Sequence, residues 1–321
     1  MAKNGKMKKI VVIGEVLVEI MADNAGDGFK GPIALTGPYP SGAPAIFIDQ
    51  VARMGQPCAI VSTVGNDDFG RVNTDRLKAD GVDISAISID PDRPTGSAFV
   101  RYRANGSRDF VFNIKHSACG AIHRNDETEK VLASADHLHI MGSCLSSGDY
   151  VDVNLRTARD VKARGGTVSF DPNLRKEILA SADITSIVKE ILSTTDLYLP
   201  SGDEILLLTD AANAEQAAGQ LFQLGIQAIA HKLGATGACY YDQSQTRFVK
   251  AFPAQEVDPT GAGDCFGGAF TALWLRNEEP QRALTLAAAA GARAVSVRGP
   301  MEGTSHLKEL ERFMDEQQEK A

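Results

Sequence analysis

The sequence predicts an α/β fold organised around a mainly parallel sheet, and three observations carry that prediction. Short apolar runs rich in β-branched residues recur along the 321 residues: KKIVVIGE, CAIVSTVG, HLHIMG, GTVSFD, DLYLP and AIAHKLG. Runs that are apolar throughout suit strands covered on both faces, as in a parallel sheet. Between them, apolar residues fall at helical spacing over Tyr150–Arg164, Ile184–Ser193, Ala214–Leu224 and Arg282–Val297. The two patterns alternate, which is the signature of βα units rather than of separate sheet and helix domains.

Taken in order, the basic start MAKNGKMKKI leads straight into KIVVIGEVLVEIM, read as one strand, with no small-residue cleavage site and so no expected export signal. Asp23 to Tyr39 is rich in Gly and Pro and interrupts the rhythm. Pro94 to Lys115 reads as a strand, an Asn-Gly turn and a second alternating strand, a hairpin projecting from the βα units. One domain spanning 1–321 is expected, with a small β lid from about 15–40 and 94–116. The charged tail LKELERFMDEQQEK reads as a solvated terminal helix.

The formal net charge of −8 leaves no basic surface for nucleic acid or anionic membrane, and no apolar run approaches the ~20 residues of a membrane span. Five cysteines without CxxC spacing argue for reduced thiols and a cytoplasmic setting. His137 and His139 share a strand face but have no third ligand near in sequence, so they do not read as a metal site.

The chemistry concentrates in EVDPTGAGDCFGGAF, from Glu256 to Phe270. A Gly-rich turn opening an apolar helix presents unpaired N–H groups and about half a positive charge, a place for an anion. Asp264 then stands either as a helix cap or as a base beside the bound anion. There is no GxxxxGK[ST] loop, and the glycines lack the GxGxxG spacing and position of a dinucleotide fingerprint. A second Gly-containing turn, SGAPAIFIDQVARMG from Ser41, also opens a helix, and two such turns can close on one ligand.

These stretches resemble the ribokinase-like, or PfkB, sugar kinases: Ser41-Gly42-Ala43-Pro44-Ala45-Ile46 is similar to G-G-A-P-x-N, and Asp258 to Asp264 to D-T-x-G-A-G-D. VGNDDFG, FDPNLR, LPSGDE and KLGATG keep the family's order. The resemblance implies a three-layer α/β/α fold and ATP- and Mg²⁺-dependent phosphorylation of a sugar hydroxyl. It implies Asp264 as general base and the amides of Gly261, Ala262 and Gly263 as the phosphoryl cradle. It implies Glu19, Gly42, Ala43, Arg103 and Arg175 at the sugar, and Ser201, Lys232, Gly234 and Gly237 along the nucleotide. Glu204 would organise the Mg²⁺ shell through water, Asp258 and Thr260 would frame a monovalent cation such as K⁺, and a homodimer would form through the lids.

Two positions depart from the pattern: Ile46 replaces the signature Asn, and Ser201 the Asn of N-x-x-E. The second lid strand, Phe112 to Ala118, lacks the arginine that 2-keto-3-deoxygluconate kinases carry, which favours a neutral sugar. The chain is similar to tagatose kinases in PSGAPAIFIDQVARMGQPC, RYRANGSRDFVFNIKHSACG and VRGPMEGTS. Tagatose 6-phosphorylation is therefore expected, with a keto-acid kinase, a fructokinase and a non-catalytic sensor on the same scaffold as alternatives.

Overall fold

A computed structural model describes residues 7–173 and 182–318. The chain runs β1 (Ile10–Ile13), β2 (Leu17–Ala22), β3 (Leu35–Ser41), α1 (Ala43–Arg53), β4 (Cys58–Gly65), α2 (Asp68–Ala79), β5 (Ile87–Asp90), β6 (Gly96–Tyr102) and β7 (Arg108–Asn113). It continues through α3 (Asp126–Ala133), β8 (His137–Met141), α4 (Gly148–Ala163), β9 (Thr167–Asp171), α5 (Ala182–Thr194), β10 (Leu197–Tyr198), α6 (Ala214–Gln223) and β11 (Ala228–Lys232). It closes with β12 (Gly237–Asp242), β13 (Thr246–Lys250), α7 (Ala262–Leu275), α8 (Pro280–Val295) and α9 (Leu307–Gln318).

Among the described residues, nine strands form the main sheet in the order β13-β12-β11-β10-β9-β8-β1-β4-β5. All neighbours from β11 to β5 are parallel, while β12 and β13 extend the sheet antiparallel. Each of the six apolar runs supplies one of these parallel strands, and their residues are buried because helices cover both faces.

A second sheet, β3-β2-β6-β7, is built from the hairpin and the segment after β1. KIVVIGEVLVEIM is therefore two strands rather than one. The chain leaves the main sheet at Gly14, where an added Cβ would lie 2.3 Å from the Pro44 ring, and starts the lid at Leu17. The Gly/Pro-rich segment hides β3, which carries Pro38 and Pro40 and is tolerated because it lies at a sheet edge.

Helix α7 is buried nearly all round and packs against α1 and α8. Its Gly268 allows a very close approach: a Cβ there would sit 2.6 Å from the Phe47 carbonyl oxygen of α1. On the sheet beneath, His137 Nε2 and His139 Nδ1 each meet the Ser169 hydroxyl at 2.8 Å, and the His139 ring stacks on Phe47 with centroids 3.6 Å apart. Burial pushes both imidazoles well below their ordinary range, so they are neutral packing residues.

Candidate active site

The carboxyl ends of the parallel strands converge under the lid, as expected for a ligand site of an open α/β sheet. Glu15 lies just after β1, Asp171 ends β9, Ser201 lies just after β10 and Lys232 ends β11. Two helices start at this edge, each from a glycine with positive φ: Gly42 at φ 110° for α1 and Gly261 at φ 80° for α7. Neither position admits a side chain. A Cβ on Gly42 would lie 2.5 Å from the Glu15 carbonyl oxygen, and one on Gly261 would lie 2.5 Å from that of Pro300.

The two starts touch through Ile46, whose methyls lie 3.2 and 3.4 Å from the same Gly261 Cβ position. Where the family signature has a polar Asn, this chain thus uses an apolar contact to join its two turns. Asp264 is the third residue of α7, so the helix is capped by Gly261 and not by the acid. Ala262 N–H makes a long 3.5 Å bond to Pro259 O, while Gly263 and Asp264 N–H belong to the first turn, which has no preceding helical carbonyl to accept them.

Asp264 is 9 % exposed, and burial pushes its carboxyl up to about 8; the Asp171 and Glu15 carboxylates add to this and the Lys232 ammonium opposes it. Lys232 forms a buried ion pair with Asp171, and its Nζ lies 3.6 Å from the position of a Cβ on Gly263. A cation therefore stands beside the amide-lined turn. Glu15 accepts from the Ser143 hydroxyl at 2.7 Å and the Cys144 thiol at 2.8 Å, and burial raises its carboxyl as well.

On the Lys232 side, Ser201 bridges to β11, and its N–H donates to Glu204 Oε2 at 2.7 Å in a capping box. Gly234, at φ 56°, opens the turn that returns at Gly237 into β12. This places Ser201, Glu204, Lys232, Gly234 and Gly237 along one flank. Among the described residues no group of three or more His, Cys, Asp or Glu is arranged to hold a metal ion.

The lid flank carries Glu19 from β2, 3 % exposed and pushed up to about 8 by burial and by the Asp258 carboxylate, against the pull of Arg108. Asp258 is filled by donors: its Oδ1 accepts from the Tyr102 hydroxyl at 2.5 Å and Thr260 N–H at 3.0 Å, and its Oδ2 from Gly299 N–H at 3.0 Å. The Thr260 hydroxyl accepts from Arg108 Nη1 at 3.1 Å. These two side chains fasten the lid to the turn before α7.

Arg103 lies elsewhere. Its guanidinium pairs with Asp109 at 2.7 and 2.9 Å, away from Glu19 and Thr260, and Arg101 donates to the loop carbonyl of Gly28 at 2.6 Å. Arg175 is outside the described residues. The lid arginine that does reach the site is Arg108, which no sequence motif marks, although the hairpin register pairs it with Tyr102 and alternation puts it on the face of Phe110 and Phe112. Asp171 is legible in the sequence only as a strand-end residue, because its partner Lys232 is 61 residues away. A cavity of about 630 Å³ also opens between the start of α2 and the lid hairpin, lined by Asp67, Phe69, Ser97, Phe112 and Lys115 among others. Neither Asp264 nor Lys232 borders it, so volume and chemistry lie in different places.

A buried carboxyl beside a helix-start anion cradle and a lysine is equipped to take a proton from an alcohol while phosphoryl charge is held next to it. Comparison with known proteins agrees. The family model for pfkB family carbohydrate kinases matches residues 7–307. The 2-dehydro-3-deoxygluconokinase of Thermoproteus tenax is 31% identical over 96% of this chain and 94% of its own length, and the fructokinase of Vibrio alginolyticus is 28% identical over 96% and 99%. An E. coli protein solved in complex with ATP and Mg²⁺ is 48% identical with a TM-score of 0.91, covering 97% of this chain and 100% of that one. The Xylella fastidiosa fructokinase with bound ATP has a TM-score of 0.84 at 26% identity, covering 98% and 100%. With the family's signature turns in contact through Ile46 and Gly261 and its model spanning nearly the whole chain, this protein belongs to the PfkB family of carbohydrate kinases.

Proposed function

We propose that the chain transfers the γ-phosphoryl group of ATP to the primary 6-hydroxyl of a free ketohexose, D-tagatose foremost. The observation that supports this is Asp264 in the first turn of α7, a turn opened by Gly261, with Lys232 beside Gly263. Asp264 accepts the alcohol proton, the exposed amides of the first turn of α7 hold the migrating group, and Lys232 offsets its charge. ATP with Mg²⁺ supplies the phosphoryl group. Ser201, Gly234 and Gly237 line the nucleotide, and Glu204 would help hold the Mg²⁺, which would supply charge neutralisation on the phosphates. Glu19, Gly42 and Ala43 meet the sugar.

A neutral substrate is favoured because burial and the Asp258 carboxylate already raise the Glu19 carboxyl to about 8, so a further carboxylate beside them would be opposed. A keto-acid kinase is the second reading, favoured by the lid cation Arg108. Coupled ADP release over tagatose, fructose and 2-keto-3-deoxygluconate separates them: the highest kcat/KM falls on tagatose, and a preference for the keto acid would reverse the assignment. The exposed Leu35 on edge strand β3 and Val111 and Phe112 on edge strand β7 support a homodimer through the lids, checked by light scattering. Five buried free cysteines support a reducing, cytoplasmic setting.

A further inference from the structure

We propose that Asp171 is a positioning residue for phosphoryl transfer: from the end of β9 it tethers the Lys232 ammonium at the Gly263 turn, and it acts on the reaction only through that lysine. The inference rests on the sugar-kinase reading and adds a residue to which that reading gives no role.

The pair lies along one face of α7. Lys232 Nζ donates to Asp171 Oδ2, and both side chains are buried. Nζ is 3.6 Å from the place a Cβ would take on Gly263, and Asp171 Oδ2 is 3.7 Å from the corresponding place on Gly267. Residues four apart share a helix face, so the ion pair runs lengthwise over a strip of α7 that carries no side chains. Asp264 follows Gly263 at once, and the charges that reach its carboxyl are those of Asp171, Lys232 and Glu15.

A lysine ammonium is a point charge on a flexible four-carbon stem with three donors, so its place is set by what accepts from it. Asp171 Oδ2 is its one hydrogen-bond acceptor among the described residues. One donor spent there leaves the others for phosphoryl oxygens. The tether needs only an acceptor oxygen at this point, and charge strengthens it: burial pushes the Asp171 carboxyl up, while the Lys232 ammonium and the Asn173 N–H oppose that rise. Stability does not call for the pair, since apolar side chains of similar size match or better a buried ion pair. Nor does strand pairing bring it about, because β10 runs between β9 and β11. The two strand ends reach across that gap to meet at the first turn of α7.

The test is steady-state and single-turnover kinetics with Mg·ATP and tagatose or fructose, with sugar affinity measured by calorimetry. Asp171→Ala should lower kcat about 10- to 100-fold, the effect of a charge misplaced by about an ångström, with sugar KM and Kd within about threefold. Asp171→Asn keeps an acceptor without the charge and should recover part of that loss. Lys232→Met should lower kcat at least as far as Asp171→Ala. Adding Asp171→Asn to Lys232→Met should then change kcat by less than about twofold, because the tether has nothing left to hold. This double variant also lacks the uncompensated buried carboxylate of Lys232→Met and should unfold at higher denaturant, so it carries the test where a single variant folds poorly. Unchanged kcat in Asp171→Ala, a further fall in kcat on adding Asp171→Asn to Lys232→Met, or a rise in sugar KM as large as the fall in kcat would each overturn the inference and leave the kinase reading in place. A wild-type chain that releases no ADP with any ketohexose or keto acid would overturn the kinase reading itself.

Discussion

Two helix starts stand side by side, joined through Ile46, alike in their glycines and unlike in their first turns. Both α1 and α7 begin at a positive-φ glycine with no side-chain cap, and both glycines are pinned against a carbonyl oxygen at 2.5 Å from any added Cβ. In α1 the first turn holds no acid and its next residues pack; in α7 it holds Asp264, with Lys232 beside it. A glycine turn therefore reports backbone geometry, and chemistry is reported by the titratable group placed inside it.

The largest contrast comes from removing that group. Asp264→Asn should lower kcat by ~10²-fold or more with sugar KM within a few-fold, the pattern of a lost base. Single-turnover phosphoryl transfer checks it, and near-normal turnover would equate the two turns again.

Lys232→Met comes next. Asp171 would be left as an uncompensated buried carboxylate, at a cost of about 3–5 kcal/mol of stability, read by denaturant unfolding. The pH profile moves with it. In the wild type, Asp264 carries its proton below about 8 and can accept one only above, so kcat/KM should climb with pH through that region. Glu19 titrates in the same range, so the limb belongs to the pair unless Glu19→Gln is measured alongside. Removing the Lys232 cation shifts the limb to higher pH, because that cation holds the Asp264 carboxyl down.

Gly261→Ala and Gly42→Ala should each cost about 2 kcal/mol or more from the left-handed backbone alone, with the carbonyl contact added. Thermal unfolding would show similar losses. Kinetics would separate them: the α7 variant loses kcat and the α1 variant loses sugar affinity. Ile46→Val, trimming the contact between the turns, should cost only about 0.5–1.5 kcal/mol and leave kcat within a few-fold.

Much of this architecture is legible in the chain because the relevant forces are local. The six strand runs, the Asn-Gly hairpin and the glycine-led helix starts each carry their signal within a dozen residues. Features that depend on pairing at a distance stay hidden. The split of KIVVIGEVLVEIM into β1 and β2 comes from Gly14 lying against Pro44 and Cys144, contacts absent from the local pattern. Strand β3 is masked because its prolines contradict strand propensity and only an edge position excuses them. In the site, the sequence points to Arg103 instead of Arg108 because both flank one turn, and register alone decides which of them faces inward. The Asp171–Lys232 pair joins the ends of strands separated by β10 and has no signal short of the sheet order.

At Gly268 and Phe47, α1 and α7 abut main chain to main chain. The spacing of phosphoryl cradle and base is therefore a property of the backbone, beyond the reach of most point substitutions. The lid meets that scaffold through Tyr102, Arg108 and their acceptors, which single codon changes can rewrite. Drift toward a new sugar should accumulate on the lid strands while the paired helices stay as they are, and a library confined to β2, β6 and β7 would sample most of the accessible substrate range.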